Sequence, residues 1–221
     1  MEFLEDIEVH TYEYITAFVF GAMGVFTSYG LTEFTGEIAI HFNSAGEPDA
    51  FMNAFPGLLF LPTLSVALYI VLDHLPDVDP LGSNYESFED VLHLFKLFIS
   101  CILTYVQALI VFWNLGYSYN ITYMVIPIVF SAYYLSGVAL ARVEKNWFIG
   151  IRNPWTISSD EVWDRTHGKT APLMKISGIL SLLALIAPGM AVWIFLVPPI
   201  LTVVFSTVYS YWLYSIKEDQ R

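Results

Sequence analysis

The chain alternates between long apolar runs and shorter polar segments. Six runs stand out, and they occupy residues 14–31, 56–72, 97–116, 119–141, 173–187 and 191–216. About 20 apolar residues cross the hydrocarbon core of a bilayer as a helix, and only the fifth run is clearly short of that. The pattern predicts an all-α integral membrane protein, with the six runs forming a six-helix transmembrane bundle.

Residues inside the runs indicate how the helices pack. Glycines permit close helix contacts, prolines kink helices, and buried amides and hydroxyls bond between helices. These residues are Gly21, Gly24 and Gly178, then Pro62, Pro127, Pro198 and Pro199, then Gln107 and Asn114 with Thr104, Thr202 and Ser206. The mid-depth positions carry no Asp, Glu, Arg or His, which argues against an ion-coupled transporter.

Lysine and arginine set the expected orientation. An even number of spans places all nine of these residues on one side of the membrane, together with both termini. Positive charge marks the cytoplasmic side. We therefore expect a plasma-membrane protein with both termini cytoplasmic, an extracellular loop or lid at residues 32–55, and a cytoplasmic loop at 142–172. The expected domains are a two-span unit, 1–90, and a four-span unit, 91–221.

Composition agrees with this class. Only 14% of the residues are charged, against about 25% in soluble domains. The net charge of −12 argues against nucleic acid as a direct partner. A single cysteine, Cys101, offers no disulfide and no CxxC metal pattern. We predict no cofactor and no metal.

The outer loop is too long for a simple connection. Residues 37–42 alternate enough to predict a strand, and 43–49 hold turn residues. Its candidate ligand-binding residues are His41, Asn43, Gly46, Glu47, Pro48 and Asp49. Three readings stay open: a metal site at His41, Glu47 and Asp49, a lid whose acidic and aromatic surface meets a cationic or amphipathic peptide, and a purely structural lid.

The inner loop reads NWFIGIRNPWTISSDEVWDRTH from residue 146. Ser158 and Glu161 have the spacing of a capping box, which predicts an interfacial helix from about residue 159 to 168. Tryptophans 147, 155 and 163 suit the headgroup level. The alternative is a catalytic site formed by His167 with Asp164 and Thr166, which lacks any partner that local spacing can supply.

This stretch resembles the signature of the SdpI immunity-protein family. The matching residues are Asn146, Gly150, Ile151, Arg152, Pro154, Trp155, Thr156, Ser158, Glu161, Trp163, Thr166 and His167. The outer segment IHFNSAGEPD, residues 40–49, resembles an N-terminal domain of uncharacterised function often found in that family. Asp79-Pro80 also fits the resemblance.

The resemblance implies a six-span, non-enzymatic membrane protein that protects against a secreted peptide toxin. It also implies a protein that can hold a cytoplasmic transcriptional repressor at the membrane, with Arg152, Trp155, Trp163 and His167 as candidates for the docking face. Its other expected partner is the lipid bilayer. Two further hypotheses remain: a transporter or exporter of an uncharged or lipidic solute, and a membrane enzyme using His41 or His167.

Overall fold

Five long helices dominate the structure. A computed structural model describes residues 9–43 and 46–219 of the chain. Within them, five helical segments are long and apolar enough to cross a membrane. They correspond to α1 (Val9–Glu33), α2 (Ala54–Asp73), α4 (Glu89–Asn114), α5 (Ile121–Leu140) and α8 (Ala191–Asp219). The predicted all-α membrane class is therefore confirmed.

The predicted sixth span is not confirmed. The fifth apolar run does not form a helix of its own, because α7 (Asp160–Ser181) starts in the inner loop and continues into that run. The helix gives way to a 3-10 turn at Leu182–Leu185 and another at Pro188–Met190. The predicted interfacial helix and the first half of the fifth run are thus one element.

Short elements complete the chain. Two strands, β1 (Glu37–Phe42) and β2 (Pro48–Asn53), pair antiparallel between α1 and α2. The strand predicted at residues 37–42 matches β1, and residues 44 and 45 of the predicted turn lie outside the described residues. Between α2 and α4 stand α3 (Leu75–Val78) and a 3-10 helix, Gly82–Phe88. A five-residue helix, α6 (Pro154–Ser158), precedes α7.

The chain forms two compact units. The first comprises Met1–His74 and Leu92–Ile121, and the second comprises Leu75–Val91 and Thr122–Arg221. In the first unit the core gathers Ile38, Ala54, Leu58, Ile110 and Val111, so the hairpin packs with the adjoining ends of α2 and α4. In the second unit Ile126, Ala184 and Ala191 form a smaller cluster. The predicted domain boundary at residue 90 stays a prediction.

Polar side chains donate hydrogen bonds to backbone carbonyls that prolines leave unpaired within helices. Pro62 has no N–H to offer the carbonyl of Leu58, four residues earlier. The Gln107 amide donates to that carbonyl at 3.0 Å instead. In the second unit Pro199 frees the carbonyl of Phe195, and the Tyr133 hydroxyl donates to it at 3.0 Å. In lipid an unpaired backbone carbonyl costs several kcal/mol, so these bonds permit the prolines.

The predicted glycine contacts hold for one position of three. A Cβ at Gly178 would lie 2.9 Å from the Phe130 carbonyl oxygen, so glycine lets these segments touch. A Cβ at Gly21 or Gly24 would meet no described atom within 4 Å. The prediction of close packing at these two residues is therefore wrong, because they lie on an open side of α1.

Candidate functional site

The hairpin is fixed to α4 by one asparagine. Asn114 accepts a hydrogen bond from the Ala39 amide at 2.9 Å and donates to the Ala39 carbonyl at 3.0 Å. Its amide also donates to the Ile110 carbonyl at 2.8 Å. A side-chain amide thus pairs with β1 as a neighbouring strand would, and it satisfies a buried backbone segment. Phe42 adds an edge-on contact with Trp113, with ring centroids 4.8 Å apart.

The candidate ligand-binding residues of the outer loop cluster at the hairpin turn. The Asn43 side chain accepts from the Glu47 amide at 3.0 Å, and Gly46 has a φ of 81°. His41 Nδ1 lies 2.6 Å from the Asp49 carboxylate, and both side chains are exposed. Among the described residues, no three His, Cys, Asp or Glu side chains form a group that could hold a metal ion.

The rest of the hairpin surface is apolar and acidic. Phe51, Met52 and Phe55 are exposed, at 56%, 38% and 63%. Four acidic side chains are exposed on the same segment: Glu33, Glu37, Glu47 and Asp49. Segment 32–55 contains no Lys or Arg. Such a surface complements a ligand that is both cationic and apolar.

Asn146 organises the start of the inner motif. The side chain is fully buried, and its oxygen accepts from the amides of Phe148 at 2.9 Å and Ile149 at 2.6 Å. Its amide donates to the carbonyls of Glu144 and Ile149. One residue therefore holds a tight loop that has no helical or strand ladder of its own. An aspartate here would lack the donor for these carbonyls.

A buried carboxylate supports the same loop. Asp79 accepts from the Tyr85 hydroxyl at 2.9 Å, from the Trp147 amide at 2.8 Å and from the Leu81 amide at 2.8 Å. The Tyr85 hydroxyl also lies 3.3 Å from the Asn146 oxygen. Asp79 is 7% exposed, and its hydrogen bonds satisfy a charge that is otherwise costly to bury.

The second half of the motif is built on α7. Trp163 is 1% exposed and His167 is 2% exposed, and their rings stack with centroids 4.0 Å apart. The Trp163 indole donates to the Val143 carbonyl at 3.0 Å. Gly150 lies against both rings with a φ of 118°, and a Cβ there would approach His167 Nε2 to 2.6 Å. Only glycine fits this position.

His167 is held as a neutral ring. Its Nδ1 donates to the Trp163 carbonyl at 2.8 Å, and its Nε2 accepts from the Ile151 amide at 2.9 Å. Burial lowers the pKa of His167 to about 4, although its bond to the Trp163 carbonyl opposes this. Both nitrogens are occupied by backbone groups, so the ring has no free site for general base catalysis.

Contacts of Asn153 and Trp155 connect α6 to α8. Asn153 caps α6 by accepting from the Trp155 and Thr156 amides, and its own amide donates to the Ser210 hydroxyl at 2.8 Å. Pro154 takes the first helical position, where a missing N–H is harmless. The Trp155 ring meets Tyr211 edge to face at 5.1 Å.

The predicted capping box is wrong by one residue. Ser159, not Ser158, caps α7 by accepting from the Val162 amide. Ser158 ends α6 instead, and its hydroxyl donates to the Pro154 carbonyl. Glu161 pairs with Lys217 at 3.1 Å and Arg165 at 3.3 Å, and Lys217 and Arg165 lower the pKa of Glu161 in that order.

Part of the motif is a buried core, and the predicted docking face stays a prediction. Trp163 and His167, predicted on that face, are buried, as are Asn146 and Thr166. Arg152 is exposed and donates to the Trp147 carbonyl at 2.6 Å. Trp147 and Phe148 are also exposed, at 49% and 41%. These three residues form an exposed basic and aromatic group near the start of the motif, and Glu161 is exposed on α7.

Comparison with known proteins identifies the motif. Residues 142–210 match the profile of the SdpI/YfhL protein family, and residues 18–66 match a domain of unknown function, DUF1648. Residues 142–210, the SdpI/YfhL segment, are therefore similar to that family. The resemblance inferred from the sequence is confirmed, and the SdpI/YfhL segment contains every motif residue described above from Asn146 to His167. The chain is a multi-pass protein of the cell membrane.

A curated relative adds a described activity. The "Immunity protein SdpI" of Bacillus subtilis (strain 168) is 28% identical over 109 residues. The match covers 49% of this chain and 53% of the relative, so the chain spans about half the length of that relative. No solved structure matches the chain significantly.

Sequence reasoning missed three contributors to these sites. The sequence indicates Asp79 only through its fit to the family, and it gives no signal for Tyr85. It predicts that Asn114 bonds between helices, whereas Asn114 bonds the backbone of β1. The contacts of Asp79 and Tyr85 with the SdpI/YfhL segment join residues 61 to 68 positions apart, beyond any local periodicity. The one usable signal was the acidic residue before a proline.

Proposed function

We propose that this protein protects the cell that carries it from a secreted peptide toxin. The similarity to an immunity protein carries the proposal. The chain also matches the DUF1648 domain in the segment that includes the hairpin. In this proposal the hairpin of β1 and β2 binds the peptide before it enters the bilayer. The loop at residues 142–172, which carries the motif, faces the cytoplasm with both termini in this proposal, as the placement of Lys and Arg suggests.

The chemistry of the hairpin favours a cationic, amphipathic peptide. Its exposed acids attract positive charge, and Phe51 and Phe55 offer apolar contact beside them. Asn114 holds β1 rigidly, so binding costs little ordering entropy at the anchored strand. The turn itself is tied by the Asn43–Glu47 bond, which keeps the carboxylates presented.

Neutralising the hairpin tests the electrostatic part of this proposal. A sensitive host would express the wild type or the E33Q/E37Q/E47Q/D49N variant, and survival would be scored against purified toxin peptide. Exposed ion pairs contribute about 0.2–1 kcal/mol each, so losing four weakens binding by about fourfold or more. We expect the toxin concentration that kills half of the cells to fall by the same factor in the variant.

A matched variant controls for the change in net charge. D77N/E86Q/E144Q/D164N neutralises four exposed acids outside the hairpin and should protect as well as the wild type. Both variants must reach equal levels in the membrane. Equal protection by the hairpin variant and this control would refute toxin capture by the acidic hairpin.

The family resemblance suggests a second role, retention of a transcriptional repressor by the toxin-bound protein. Trp147, Phe148 and Arg152 are exposed near the start of the motif and are the contact residues in this proposal. We expect W147A/F148A to keep protection and to release a fluorescent repressor from the membrane. F60A/W193A, which removes two exposed aromatics elsewhere, is the control. Full retention by W147A/F148A would contradict this role.

A further inference from the structure

The inner face of α4 in the first unit is polar along much of its length. Lys96, Ser100 and Gln107 are buried at 3%, 1% and 0%, and Thr104 lies between the last two on the same face. These residues follow a helical spacing of three or four. A polar stripe of this kind inside a membrane-spanning helix needs partners, because lipid supplies none.

Contacts with the neighbouring helices place more polar groups at the same depths. Gln107 donates to Thr27 of α1 at 3.1 Å and to the carbonyl of Leu58 on α2. Lys96 pairs with Asp73 of α2 at 2.7 Å. Since α2 therefore runs antiparallel to α4, fully buried Ser65 falls at the level of Ser100 and Thr104.

Three polar atoms in this interior have no partner among the described residues. They are the Ser65 hydroxyl, the Thr104 hydroxyl and the Gln107 carbonyl oxygen. Hydroxyls in membrane helices ordinarily bond the carbonyl four residues back, as those of Thr27 and Ser100 do here. The Gln107 amide cannot be reversed, because the Leu58 carbonyl requires a donor.

The interior reaches the surface at the Lys96 end. The Asp73 side chain that pairs with buried Lys96 is itself 49% exposed. From Lys96 to Gln107 the α4 axis rises about 16 Å, which is roughly half of a hydrocarbon core about 30 Å thick. A line of polar groups therefore extends from a solvent-exposed carboxylate to mid-membrane.

We propose that this polar seam, formed by Lys96, Ser100, Thr104, Gln107, Ser65 and Thr27, binds a file of water molecules entering at Asp73. Water is the ligand that fits, because it supplies both donors and acceptors to groups spaced along a helix. Each unpartnered atom would gain a hydrogen bond. The first unit then contains a hydrated half-channel that ends at the Gln107–Thr27 pair.

Radiolytic labelling of methionine tests the proposal with water itself as the probe. X-ray pulses produce hydroxyl radicals from water in place, and they oxidise adjacent methionines. Met23 is 2% exposed and lies one turn from Thr27, which donates to its carbonyl. The protein would be embedded in lipid nanodiscs. V25M adds a lipid-facing methionine on the same helix, at a position that is 68% exposed.

Burial alone and a hydrated seam predict opposite results. With water in the seam, Met23 oxidises about tenfold faster than the methionine that V25M introduces, a ratio that corresponds to 1.4 kcal/mol. The S65A/T104V variant removes two of the unpartnered hydroxyls, and we expect Met23 labelling to fall while Met190, which is exposed, labels as before. An unchanged melting temperature confirms that this variant is folded.

Two results would overturn the proposal. Met23 labelling no faster than that of the V25M position means that the seam is dry. Rapid Met23 labelling that persists unchanged in S65A/T104V means that these residues do not hold the water.

Discussion

Replacing His167 with glutamine should remove a pH-dependent part of the stability of this protein. Glutamine can donate to the Trp163 carbonyl and accept from the Ile151 amide as the neutral ring does, but it does not titrate. Burial lowers the pKa of His167 from 6.5 to about 4. The folded protein therefore excludes a proton that the unfolded chain binds.

The sign and size of this pH-dependent stability follow from the linkage between proton binding and folding. The stability that depends on neutral His167 is fully present above pH 6.5 and is lost as pH falls towards 4, because only the unfolded chain gains the proton. A shift of this size corresponds to about 3 kcal/mol in total. About 2 kcal/mol of it is lost by pH 5.

Unfolding in mixed micelles of rising SDS fraction, followed by tryptophan fluorescence, would measure this. We expect the wild type to lose about 2 kcal/mol more than H167Q between pH 8 and pH 5. H74Q removes an exposed histidine and should behave as the wild type. If the wild type and H167Q lose the same free energy over this range, the assignment of a buried neutral ring is wrong.

Three further substitutions probe other contacts. G150A places a Cβ 2.6 Å from His167 Nε2 at a φ of 118°, and it should cost at least about 2 kcal/mol of unfolding free energy in the same assay; a smaller cost would contradict the close packing. N114L leaves the Ala39 amide and carbonyl unpaired, so we expect faster amide hydrogen exchange in β1, with α5 exchange as the unaffected control. Y133F leaves the Phe195 carbonyl unpaired in lipid and should cost about 2–3 kcal/mol, whereas Y134F, at a more exposed tyrosine, should cost less; equal costs would contradict the proposed role of the Tyr133 hydroxyl.

Local patterns predicted the local elements well. Apolar runs located five membrane helices, and alternation located β1 at residues 37–42. The cap of α7 was misplaced because Ser158 and Ser159 are adjacent and chemically identical, and only the geometry of α6 distinguishes them. The fifth run was misjudged because its apolar residues continue a helix that starts in a polar loop.

Contacts between distant segments were beyond the sequence alone. Asp79 and Trp147 lie 68 positions apart, and no periodicity relates them. Trp163 was predicted at the headgroup level because tryptophans prefer it, yet packing against Gly150 and His167 buries it. Hydrophobic patterns report which face of a helix is buried, but they do not report which partner covers it.

The hydrogen bonds that side chains donate to proline-freed carbonyls also constrain the order in which substitutions can accumulate. Pro62 is paired with Gln107 in this way, and Pro199 with Tyr133. In each pair the polar side chain donates to the carbonyl that loses its helical hydrogen bond because of the proline. Losing Gln107 first would strand a carbonyl in the bilayer, whereas replacing Pro62 first would restore the helical bond and free Gln107 to change. Mutational histories in related chains should therefore run in one order, with the proline lost before its partner.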